Sequence, residues 1–153
     1  MTVITLTRDE LLHAVSGGAQ RQLDALLLDR GSHFEHVDSW MNHIHGAMAE
    51  MAVAKHYGKF WFPCYDDPLA VVGDVGRWEV RAVVKESHSL VIREKDLRAH
   101  ADQPFILVLV TIPRFKLLGW IKGADAPAVG ILQPAAEGKP QAWFVPVSKL
   151  TPL

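Results

Sequence analysis

At 153 residues and 49% apolar content, the chain is long enough to close one hydrophobic core and too short to suggest two domains. A formal net charge of −1 argues against a simple polyanion binder, and a single cysteine, Cys64, excludes an internal disulfide or a zinc site built on several thiolates. No run reaches the roughly 18 apolar residues of a membrane span, and the N-terminus lacks the basic, apolar and small-residue order of an export signal; a reducing cytoplasmic interior is the expectation.

Thr7-Arg8-Asp9-Glu10 has the form of a capping box, and Leu11, Leu12 and Val15 follow it, which predicts a short helix ended by Ser16-Gly17-Gly18. A second helix is expected over residues 19–29, with Leu23, Leu26 and Leu27 turned inward and Gly31 stopping it. The third helix is capped by Asp38 or Ser39, repeats Met41, Ile44, Met48 and Ala52 at helical spacing, and closes at Gly58 after Tyr57. On its own face Glu50 has only Gly46, Ala47, Val53 and Ala54 beside it, none with a long polar side chain. A carboxylate on such a packed surface is costly to bury without a partner, so Glu50 is a candidate ligand.

After Gly58 the pattern changes to strands. Phe60-Trp61-Phe62 and Ala70-Val71-Val72 are short candidates, and Gly73-Asp74-Val75-Gly76 turns into a strand over residues 78–84. There Trp78, Val80, Ala82 and Val84 alternate with Glu79, Arg81, Val83 and Lys85, so Glu79 and Arg81 share one face. The bland alternative is an amphipathic strand whose polar side faces water. Leu90-Val91-Ile92-Arg93 is a further strand. Residues 105–112 are nearly continuous in Phe, Ile, Leu and Val, as in a strand covered on both faces, and residues 115–121 pair with them across Pro113-Arg114. Residues 122–140 read as a loop with one helical turn, and residues 142–145 as a last strand before Pro146. Helices followed by strands make an α+β domain, with N-terminal helices packed on a mixed, mostly antiparallel sheet of five to six strands.

Charge divides unevenly along the chain. Residues 1–76 hold five Lys/Arg against ten Asp/Glu, net −5, and residues 77–153 hold eleven against seven, net +4. That permits a basic surface on the second half, with Arg77, Arg81, Lys85, Arg93, Lys95, Arg98, Arg114 and Lys116 as phosphate contacts; solvated surface charge is the plainer reading.

Gly46-Ala47-Met48-Ala49-Glu50 on a helix, then Asp74, then Glu79-Val80-Arg81 resembles the acid, Asp and (Asp/Glu)-x-Lys series of PD-(D/E)XK nucleases. Asp74 to Arg81, Leu90 to Arg93 with Asp96, Phe105 to Val108 and Gly119-Trp120-Ile121-Lys122-Gly123 are similar to small phage and prophage proteins of that superfamily, over roughly residues 40–123. The resemblance implies a restriction-endonuclease-like fold in which Glu50, Asp74 and Glu79 hold Mg²⁺ or Mn²⁺, with the Val80 carbonyl as a further oxygen ligand. It implies metal-dependent phosphodiester hydrolysis of DNA, by a protein working in the cytoplasm of a bacterial host. The alternative is a degenerate nuclease fold that binds nucleic acid or a host protein, and many nucleases of this kind act as homodimers.

A hard octahedral cation takes oxygen ligands and keeps waters, one of which becomes the nucleophile. Arg81 stands where such enzymes carry lysine; a guanidinium positions phosphate or steadies charge but cannot act as a base. Lys85, four residues on, is the nearest amine, and Arg93 and His43 are candidate phosphate contacts. Two further departures are the short interval from Asp74 to Glu79 and the lack of a long helix between Arg81 and Phe105.

Histidine suggests a rival site. His33 and His36 lie near His43 and His45, with Glu35 and Asp38 between, a set suited to zinc; but His43 and His45 project about 200° apart on one helix and cannot share an ion directly. Cys64 has no nucleophile signature and reads as structural, and Trp61, Trp78 and Trp120 read as core before they read as base-stacking platforms.

Overall fold

The capping box at Thr7 forms as its residues predict: the Glu10 amide donates to the Thr7 hydroxyl at 3.2 Å, and the Thr7 amide to the Glu10 carboxylate at 2.6 Å. The helix it opens, α1 (Arg8–Leu27), does not stop at Gly17-Gly18 but runs through them, so the two expected N-terminal helices are one. The glycines serve close approach. A methyl at Gly18 would lie 2.5 Å from the Ile44 Cα, and one at Gly17 2.8 Å from both Pro63 and Trp61. Accordingly the inward face of α1 is Ala14, Gly17, Gly18 and Gln22, while Leu23, Leu26 and Leu27, expected inside, are exposed. The small face lets the second helix, α2 (Ser39–His56), lie directly against α1.

The computed structural model describes residues 2–28, 39–63 and 73–153. Asp29, Gly31, Asp38, Cys64, the Ala70-Val71-Val72 strand and the His33, Glu35 and His36 part of the zinc alternative lie outside the described residues. Within them, α2 ends as expected, with Gly58 at φ 61° after Tyr57. Phe60-Trp61-Phe62 is not a strand: residues 59–63 pair with no ladder, and Trp61 points inward while Phe60 and Phe62 stay exposed.

The fold is α+β. In place of one sheet of five or six strands, seven strands form two sheets among the described residues. The first is mixed, in the order β1 (Thr2–Thr5), β5 (Arg114–Lys122), β4 (Pro104–Thr111), β2 (Glu79–Val83). Its β2 runs parallel to β4, with Glu79 opposite Phe105 and Arg81 opposite Leu107; β4 and β5 are antiparallel, as expected. The second sheet is antiparallel, in the order β3 (Leu90–Arg93), β7 (Gln141–Val145), β6 (Ile131–Pro134). The split arises because β3 pairs with β7 and leaves β2 at an edge. A short helix, α3 (Glu94–His100), supplies the crossover that the parallel β2 and β4 require. Residues 122–140 hold more than a loop: a 3-10 turn at Gly123–Asp125, α4 (Ala126–Val129) and β6.

Two cores follow from two-sided burial of the first sheet. Ile106, Val108 and Val110 of β4 face α2 with Val53, Met48 and Phe115; Phe105, Leu107 and Leu109 face the second sheet with Leu90, Ile92 and Val145. Helices, first sheet and second sheet are thus three layers, with β4 buried between them. Among the described residues no helix is long and apolar enough to cross a membrane.

Candidate functional site

Three of the four residues singled out by the motif come together at the start of the edge strand β2. Asp74 precedes the tight turn in which Val75 and Trp78 bridge, and its carboxylate turns back to accept the Val80 amide at 2.7 Å. The five-residue interval is therefore closed by a side chain bonded to the strand it leads into. Glu79 is buried at 7% exposure, which rules out a water-facing polar side for this strand.

Arg81 sits among these acids. Its Nη1 donates to the Val80 carbonyl at 3.1 Å and lies 3.5 Å from Glu79 and 3.7 Å from Asp74; its Nη2 lies 3.1 Å from Asp96. The Phe105 ring, 5.1 Å from the guanidinium carbon, supports the group from the next strand. Asp96 is itself fixed, because it accepts the Arg93 amide at 3.0 Å at the start of α3.

Glu50 reaches the same region from α2, and its charge raises the pKa of Asp74, but its oxygens are already engaged. Arg21 of α1 grips both, at 2.7 and 2.6 Å, and the Trp61 indole donates to Oε2 at 3.0 Å. Such a fork-to-fork pair is the strongest form of charge-assisted hydrogen bond. The small-residue surface read around Glu50 is real, and what fills it is an arginine and an indole.

The electrostatics record the crowding. Burial, then the Glu50 charge, push the Asp74 carboxyl from an ordinary 3.8 up to about 6, against the pull of Arg81, the Val80 amide and Arg21. Burial and the Asp74 charge also raise Glu79, with Arg81 and His100 opposing. His100, from the end of α3, holds its Nδ1 3.9 Å from Glu79, with no hydrogen-bond partner for that buried nitrogen.

A divalent ion at the expected position would take oxygens from Glu50, Asp74, Glu79 and the Val80 carbonyl. As arranged, these donors do not fit it: Arg81 Nη1 stands within 3.7 Å of the last three, and Arg21 holds the first. Among the described residues, no three His, Cys, Asp or Glu side chains are placed to hold a metal.

Of the other candidate phosphate contacts, Lys85 stands apart from this centre. Lys85 lies in an exposed turn beyond the last residue of β2, so the expected shared strand face stops short of it. Arg93 meets Asp96 through its backbone amide, and His43 is half-buried, with its pKa lowered by burial and by Arg21. Arg21 and His100 are not singled out by the sequence; Trp61 reads there as core and Asp96 only as part of the resemblance, neither as a partner of the site. Only Asp96 had a signal, three residues after Arg93 where an acid can cap a helix.

Protein-family models, curated proteins and solved structures yield no match to the chain.

Proposed function

We propose that this chain is a PD-(D/E)XK-like protein that binds nucleic acid or a host protein, in a phage or prophage setting, without metal-dependent cleavage. The observation that carries this reading is Arg81: its guanidinium lies within 3.7 Å of three of the four oxygen donors that a Mg²⁺ or Mn²⁺ ion would take. A tethered cation meets part of the charge demand of the acids and cannot deliver an activated water. Arg21 does the same for Glu50.

One observation favours the hydrolase reading. Glu50, Asp74, Glu79 and Asp96 outnumber Arg21 and Arg81, and Asp74 and Glu79 are raised by burial first and by a neighbouring acid's charge second. Such a cluster gains from a further cation if Arg81 swings aside.

Isothermal titration with Mn²⁺, alongside a DNA-nicking assay, separates the two. The binder reading expects no saturable heat and no nicking from the unaltered chain, with Mn²⁺ binding gained in Arg81→Ala as the oxygens are freed. Nicking that needs Mn²⁺ and is abolished by Glu79→Ala would overturn it.

A further inference from the structure

Away from the acidic centre, a cavity of about 310 Å³ opens where the turn before β2, the start of β4 and the end of β5 meet. That volume is at the small end of ligand sites and suits one flat, nucleotide-sized molecule. Its wall combines Arg77 and Lys122, the indole of Trp120, the carboxylates of Asp102 and Asp125, and Thr151.

The aromatic wall is braced. Trp120 meets Trp78 edge-on at 5.7 Å, Trp78 lies flat on Tyr57 at 4.9 Å and 14°, and the Thr151 and Trp120 backbones bond each other at 2.8 and 2.9 Å. Trp120 packs partly on the first core, is half-buried as a residue, and lines the cavity, so it is the aromatic side chain there that a base could meet. Arg77 forms no ion pair among the described residues, and the 2.8 Å pair of Lys122 with Asp102 is exposed on both sides, so it exchanges readily for another partner. Two cations for a phosphate, a ring for stacking, and two acceptor carboxylates for amino or hydroxyl groups are the complementary parts of a nucleotide.

We propose that this cavity binds a nucleotide, either free or as one unit of a single strand. The inference rests on the reading of the chain as a binder and names the chemistry of what it binds.

The test is titration of the 153-residue chain with AMP, inorganic phosphate and a labelled twelve-residue oligo(dA), in low salt with EDTA, followed by NMR shifts and fluorescence anisotropy. AMP is expected to saturate with the largest shifts at the cavity residues, and to bind at least tenfold more tightly than phosphate. Arg77→Glu and Lys122→Glu alter exposed side chains and leave the cores untouched; each is expected to weaken binding about tenfold. Competition of AMP with the oligonucleotide supports a strand unit, and AMP binding without oligonucleotide binding supports a free nucleotide. Absent saturation by either ligand, equal affinity for phosphate and AMP, or unchanged binding in both variants would overturn the inference. Any of these without cleavage leaves the binder reading standing, whereas cleavage of the strand when Mn²⁺ replaces EDTA sinks that reading instead.

Discussion

Arg81 and Asp74 show how one side chain changes the meaning of a motif. In place of a flexible ammonium, the planar guanidinium spans Val80, Glu79, Asp74 and Asp96 at once while resting on Phe105. The remaining strain is at Asp74, whose folded-state pKa of about 6 exceeds its ordinary 3.8. Between those values the folded chain holds more protons than the unfolded one, so this group's contribution to stability falls as pH rises from about 4 to about 6. Asp74→Asn keeps an oxygen for the Val80 amide and removes the titration. Urea unfolding at pH 4.5 and pH 7 should therefore show the unaltered chain losing more stability across that interval than the variant. Equal losses would show that Asp74 is not strained.

At the scale of elements, the decisive contact is the crossing of α1 and α2 through Gly17 and Gly18. Gly18→Ala places a methyl on the backbone of α2 and should cost about 1–3 kcal/mol or more by overpacking. Gly46→Ala is the control: no atom lies within 4 Å of the added carbon, so helix propensity alone should stabilise by up to about 1 kcal/mol. Urea midpoints of the two variants should move in opposite directions. The same glycines mark the limit of what was legible. The cap at Thr7, the span of α2, the β4–β5 pair and the α+β class followed from local pattern. A Gly-Gly pair, however, reads as a stop unless the partner helix is known; β1 is a four-residue edge strand that pairs only with the distant β5, and β6, though it forms a hairpin with β7, is exposed at all four residues and carries no burial alternation. In the site, the shared face of Glu79 and Arg81 could be read from strand alternation, and Asp74 entered through the resemblance. The grip of Arg21 on Glu50 could not, because 29 residues separate them and only the helix crossing brings them together.

Across the whole molecule, β4 joins the two cores, since its alternate side chains belong to different ones. Ile106→Ala and Leu107→Ala each remove a fully buried side chain, one from each side, and each should cost about 2–5 kcal/mol. Because the strand is shared, unfolding should remain one transition in both variants, with fluorescence and far-ultraviolet dichroism coinciding. Separate transitions would mean that the layers unfold independently. Two-sided burial has another consequence, outside the native state. Residues 105–110 form a charge-free, proline-free stretch of Phe, Ile, Leu and Val that leaves the ribosome before β5 and β7 exist to cover it. Pro104 on one flank and Arg114 on the other are the kind of gatekeepers that discourage such a tract from zipping onto its copies in neighbouring nascent chains.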